Sequence, residues 1–287
     1  LRLHRGARSE SPLSPAPSSD LTSFTASRRA RERIRASPEL VGPNRTVDVH
    51  EPCALLGMEE KPSPSLAYVP AGADDLDELA KAAQRCQACD LYKGATQVVF
   101  GEGPTPAPMM LIGEQPGDRE DLVGRPFVGP AGVLLDETLD EAEIPREQVY
   151  LTNAVKHFKW EPRGKRRLHS KPNAFEIHAC RGWLEAEIAI VRPEVIVCLG
   201  ATAAQVFFGR DFRLTKDHGV LEDGAPWAPR ILATFHPSAL LRMKGGDEDD
   251  YARLRRAFTL DLAEAASAVK FRSDRVRRGR LRPSASV

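Results

Sequence analysis

Four short apolar runs, each stopped by turn or polar residues, constrain this chain most. Met109–Ile112 ends at Gly113-Glu114, Val149–Leu151 at Thr152-Asn153, Val195–Leu199 at Gly200, and Ile231–Thr234 at Phe235-His236. Each is too short for a buried helix and lacks the polar alternation of a strand with one wet face. Each therefore reads as a strand buried on both faces. Helical patterns follow the runs at 131–143, 173–191, 201–208 and 248–268. In the first, Leu134, Leu135 and Leu139 share a side opposite acids; in the second, Asn173 caps the start with Glu176 completing a capping box. Strands alternating with helices build a sheet covered on both sides. The expected fold is a three-layer α/β/α sandwich around a mostly parallel four-stranded sheet. Ligands of such sheets sit at the carboxyl ends of the strands. Glu114, Asn153 and His236 each follow a different strand, so they are expected to meet in one crevice.

A chain of 287 residues can bury a full core, and its composition divides it in three. Residues 1–70 are rich in Ser, Pro and Arg, include Ser11-Pro12-Leu13-Ser14-Pro15, and show no sustained period. They read as a disordered arm with a short helix around Arg28–Ala36. Residues 71–268 form the folded domain, and 269–287 a basic disordered tail that adds salt-sensitive affinity for DNA. The formal net charge of +1 conceals an acidic middle: residues 72–267 carry 24 Lys and Arg against 31 Asp and Glu. Within it, residues 156–181 hold eight cations and two acids. One basic stripe on an acidic body points to a local anion site. No apolar run is long enough to cross a bilayer, and the basic N-terminus lacks the apolar core of a secretory signal. Five cysteines (Cys53, Cys86, Cys89, Cys180, Cys198) are an odd number in a chain of this size. That argues against a disulfide framework and for a reducing compartment, the cytoplasm.

The polar motifs carry the chemistry. Lys165-Arg166-Arg167-Leu168-His169-Ser170-Lys171-Pro172 sets one histidine among four cations in a loop. Cations attract phosphate, and a neutral imidazole beside nucleic acid is a nucleophile; a solvated basic loop is the plainer reading. Gly113-Glu114-Gln115-Pro116-Gly117-Asp118 presents a carboxylate at a strand tip, or is simply an acidic turn. Phe127, set among Gly and Pro, can stack on a flat base or fill the core. Asn153 can accept from a uracil N3–H and donate to O4, or satisfy a turn. His236-Pro237-Ser238 can stabilise a departing anion or start a helix. Leu240-Leu241-Arg242 reads as a wedge with a phosphate clamp or as the apolar side of a short helix. Cys86-x-x-Cys89 with Cys180 and Cys198 supplies four thiolates that suit zinc or an iron–sulfur cluster, unless the last two are inert core residues. His157, His178 and His218 read as surface or structural, and Cys53 as a spectator.

Taken together, Gly-Glu-x-Pro-Gly, Pro-Phe-Val-Gly-x-Ala-Gly, Thr-Asn-Ala-Val-Lys and His-Pro-Ser, in this order from about Ala83 to Ala266, resemble the uracil-DNA glycosylase superfamily. They are most similar to its iron–sulfur family 4. Gln115 with Asp118, Glu120 and Asp121, and the Lys-Arg-Arg-Leu-His loop, are similar to the X-type branch, whose members crosslink to DNA. The resemblance implies a 4Fe-4S cluster on Cys86, Cys89, Cys180 and Cys198, a uracil-stacking ring at Phe127 and a base-reading amide at Asn153. It implies that His236 acts on uracil O2, that His169 bonds to C1′ of the deoxyribose, and that Glu114 assists it. Gln115 and Asp118 join the substrate site, while Lys165, Arg166, Arg167, Lys171, Ser238 and Arg242 face DNA. The implied partner is uracil-containing DNA, single- or double-stranded, met by a monomer with no membrane role. The rival readings are a turnover glycosylase in which His169 only binds phosphate, a non-catalytic DNA-binding module, and a zinc scaffold.

Overall fold

The computed structural model describes residues 61–272. The short helix expected near residue 30, Cys53, and most of both tails lie outside them. Eight helices and seven strands are found among the described residues, besides short 3-10 turns. In chain order they are α1 (Leu76–Ala83), β1 (Met109–Gly113), α2 (Asp118–Val123), α3 (Pro130–Glu141), β2 (Val149–Asn153), β3 (Trp160–Arg163), β4 (Arg166–His169) and α4 (Ala174–Val191). Then come β5 (Val195–Leu199), α5 (Ala201–Phe208), α6 (Leu214–Asp217), β6 (Glu222–Asp223), β7 (Arg230–Thr234), α7 (Pro237–Met243) and α8 (Glu248–Ser267).

The four apolar runs are the four parallel strands. The sheet order is β2-β1-β5-β7-β6, and the parallel pairs keep Gly113 beside Asn153 and Leu199 beside Thr234. The fifth strand, β6, is two residues long and antiparallel to β7, too short and polar to leave a pattern. Strand alternation divides the core in two. Met109, Leu111, Val197 and Leu232 face α3, α7 and α8 through Leu135, Leu240 and Phe258. Met110, Ile112, Ile196 and Ile231 face α4 and α5 through Leu184, Ile188 and Ala203. The result is the expected sandwich, with one strand more.

Asn173 caps α4 as the sequence indicates: its side chain accepts from Glu176 N, and the Glu176 carboxylate accepts from Asn173 N. Three expectations change. Residues 63–69 belong to the domain rather than the arm, because Ser63 Oγ donates to the carbonyls of His178 and Ala179 and Val69 joins the core. Leu240 is no wedge, since it is fully buried beneath α7. The basic segment is an antiparallel hairpin rather than a loop. Arg163 pairs with Arg166, and Gly164, at φ 61°, takes the left-handed position of the two-residue turn.

Candidate active site

Glu114, Asn153 and His236 do gather at the carboxyl edge of the sheet. Gly113, the last residue of β1, makes this possible: a Cβ there would stand 2.3 Å from Asn153 Oδ1 and 2.9 Å from Phe127 Cζ. The missing side chain lets the carboxamide and the phenyl ring close on one space. Phe127 has φ 55°, a strained conformation for a bulky residue, enforced where α3 begins. Its partly buried ring lies 6.1 Å from the His236 ring at an interplanar angle of 25°, nearly parallel.

His236 is the N-cap of α7. Its Nδ1 accepts the Ser238 backbone N–H at 3.1 Å, and Ser238 Oγ lies 2.9 Å away. A backbone N–H can only donate, so Nδ1 carries no proton and the neutral ring bears its hydrogen on Nε2. Burial pushes the imidazole down to about 4, against the opposing pull of Glu114. Arg242 Nη1 donates to Ser238 Oγ at 3.2 Å, which sets these two residues on the same rim.

Glu114 receives a hydrogen bond from Thr202 Oγ1 on α5 and stands 3.3 Å from His169 Nε2. Burial works against its charge, but the bonds from His169 and Thr202 and the nearby imidazoles outweigh it and hold the carboxyl below its ordinary range. The His169 side chain is 50% exposed, so a reactant can reach it. Its ring also tilts against buried Phe158, at 6.3 Å between centroids.

The hairpin that carries His169 is tied down from beneath. Gln115 donates to the carbonyls of Lys159 and Ser170, both at 3.1 Å, and accepts from Lys159 N at 3.0 Å. This buried carboxamide thus ties together the two ends of the hairpin that carries His169. Asp118 is occupied as well. Arg167 bonds Asp118 Oδ1 and Asp121 Oδ2, each at 2.6 Å, and its guanidinium lies over the Phe158 and Trp160 rings. Arg167 is therefore a strut, whereas Lys165, Arg166 and Lys171 are exposed on the hairpin and the segment after it.

The cysteines separate. Cys86 and Cys180 share a core cluster with Trp183 and Val155, and Cys89 packs against it. Trp183 Nε1 donates to Cys86 Sγ at 3.3 Å and Lys156 N to Cys180 Sγ at 3.2 Å. Burial pushes the Cys180 thiol up to about 12, with Cys86 and Cys89 adding to the shift against Lys156. Cys198, the expected fourth ligand, does not join them. It points from β5 into the α4–α5 side of the core, and burial alone raises its thiol. Among the described residues, no group of three or more His, Cys, Asp or Glu is arranged to hold a metal ion. Two buried thiols and a partly buried one, from two distant segments, have the chemistry of an iron–sulfur donor set, and the fit ends there. His157, read as surface or structural, is buried, and His218 pairs with Asp261 at 2.8 Å.

Sequence reasoning missed Thr202, Lys156 and Glu187. Thr202 and Glu114 are 88 residues apart, and no local pattern links them.

A sheet whose strand ends present a carboxylate, a carboxamide and a histidine, with a second histidine lowered in from a cationic hairpin, defines a hydrolase-like nucleic-acid site. The model of the uracil DNA glycosylase superfamily matches residues 100–260, and the chain belongs to that superfamily. The type-4 uracil-DNA glycosylase of Thermotoga maritima is 41% identical over 190 residues, which are 65% of this chain and 91% of that protein. The type-4 enzyme of Archaeoglobus fulgidus is 35% identical over 63% of this chain and 92% of its own length. A type-5 enzyme from Thermus thermophilus is 32% identical over 49% of this chain and 68% of its own length. The relatives place the chain with the type-4 group.

Proposed function

We propose that this protein excises uracil from DNA and that His169 then captures the exposed deoxyribose. The observation that carries the reading is the pairing of a half-exposed His169 with a charged, partly buried Glu114, 3.3 Å apart, at the same carboxyl edge of the sheet as Asn153, Phe127 and His236. Uracil turned out of the strand stacks on Phe127, and Asn153 accepts its N3–H and donates to O4. As the C1′–N1 bond breaks, its electron pair leaves with the base. His236 Nε2–H donates to the O2 of the resulting anion, where a preorganised donor is worth most. The sugar becomes cationic at C1′, and a His169 ring nitrogen gives it a lone pair. The ring proton passes to the Glu114 carboxylate, which Thr202 holds in place. Tethering makes the histidine far more concentrated than any competing water.

Cys86, Cys89 and Cys180 would supply thiolates to an iron–sulfur cluster, which would link the segment after α1 to α4. Lys165, Arg166, Lys171 and Arg242 attract the phosphate backbone. Uracil release tests the reading: an end-labelled single strand with one uracil should lose that base on incubation with the protein, while its thymine counterpart stays intact. A uracil strand left intact would refute the enzyme reading and leave a DNA-binding module.

A further inference from the structure

Next to Asn153 lies a group of buried polar residues that the chemistry above does not use. Lys156 and Glu187 form an ion pair whose side chains are 1% and 0% exposed. The ammonium also donates to Thr152 Oγ1 at 2.6 Å and to the Asn153 carbonyl at 2.8 Å, so all three of its protons are engaged. The Glu187 carboxylate accepts from Gly101 N at 3.0 Å, Tyr150 Oη at 2.9 Å and Thr152 Oγ1 at 3.0 Å. No buried side-chain polar atom among the described residues lacks a partner.

Such a pair adds little net stability, because desolvating two ions offsets their attraction and apolar residues of similar shape fill a core as well. Its placement is the informative point. Lys156 ties the last residues of β2, Thr152 and Asn153, to Glu187 in the C-terminal half of α4. One of the three ammonium bonds goes to the peptide carbonyl of Asn153, the residue that reads uracil in the mechanism above. A carboxamide tells uracil from cytosine only if its oxygen and nitrogen are held in the right orientation, and that orientation starts from the peptide plane. Apolar packing cannot fix a carbonyl's direction; an ammonium anchored at two other points can.

We propose that Lys156 is a positioning residue for base recognition, with Glu187 as its anchor: the buried ion pair orients the Asn153 peptide and, through it, the carboxamide that binds uracil. The inference rests on the glycosylase reading and adds to it a residue with no contact to the substrate.

The test is single-turnover uracil release from a single-stranded oligonucleotide, at varied excess concentrations of the full chain. The variant is Lys156→Met with Glu187→Gln, which leaves no unpaired buried charge and keeps an oxygen acceptor for Gly101 and Tyr150. Its half-saturating concentration should rise about tenfold, while the maximal rate stays within about twofold. In an Asn153→Ala background the same pair of changes should add less than about twofold, because the effect runs through Asn153. An unchanged half-saturating concentration, or an equal rise in the Asn153→Ala background, overturns the proposal. If the double variant does not accumulate as folded protein, Thr152→Val removes one of the three ammonium acceptors and carries the same cycle, with a rise of about threefold expected. No uracil release by the wild-type chain would bring down the glycosylase reading and this inference together, a result distinct from failure of the variant alone.

Discussion

At His236 two contacts settle a tautomer and a charge state together. The Ser238 N–H on Nδ1 leaves the proton on Nε2, and burial pushes the ring from an ordinary 6.5 down to about 4. The unfolded chain therefore binds a proton that the folded one refuses between those two values, and stability rises with pH across that window. The melting temperature should fall as pH is lowered from 6.5 towards 4 and fall less steeply in His236→Asn, which retains a capping side chain. His157, pushed down to about 4 by burial, acts in the same direction, so the slope should shrink rather than vanish. Equal slopes in wild type and variant would contradict the assignment. Glu114, Asn153 and His236 were legible in the sequence because each ends an apolar run. Gln115's bonds to Lys159 and Ser170 were not legible, since a carboxamide looks the same whether it meets a base or a backbone. The pairing of Lys156 with Glu187 was invisible because it is made only by the packing of β2 against α4.

The β3–β4 hairpin shows why one element escapes a sequence reading. All eight of its strand residues are partly or fully exposed with polar or charged neighbours, and neither face carries an apolar stripe. Gly164 alone marks the turn. The hairpin holds its place through Gln115, through Arg167 between two aspartates, and through Trp160 Nε1 donating to Gly94 O at 2.7 Å. These roles separate experimentally. Lys165→Ala and Arg166→Ala should each reduce the salt dependence of DNA binding by about one unit of slope. Arg167→Met should leave the slope unchanged and slow the reaction of His169, because its cation already belongs to Asp118 and Asp121. A loss of slope in Arg167→Met equal to that of Lys165→Ala would make it a phosphate contact after all.

Across the whole molecule, the sheet brings the site together and keeps Cys198 apart from the other three described cysteines. The alternating faces of β1, β5 and β7 were legible as continuous apolar runs, and with them the sandwich. The short antiparallel β6 was not, because two polar residues carry no period. Alternation also places Cys198 against α4 and α5, away from the cluster that Cys86, Cys89 and Cys180 share with Trp183. Cysteine spacing counts sulfurs but cannot tell which face of a strand each one occupies. Iron analysis should find that Cys86→Ser, Cys89→Ser and Cys180→Ser each lose bound iron and the brown absorbance, while Cys198→Ala keeps both. Loss of iron from Cys198→Ala as complete as from the others would return it to the ligand set.

Capture of the sugar by His169 after uracil leaves, as proposed, would leave a covalent bond that a denaturing gel reads directly. The purified chain is mixed with an end-labelled, uracil-containing single strand, boiled in detergent and run on a denaturing gel. A slow band that survives boiling, disappears in His169→Ser and is absent with a thymine strand is the predicted result. A strand that stays unshifted yet breaks at the uracil position after alkali would contradict capture and leave His169 as a contact to phosphate.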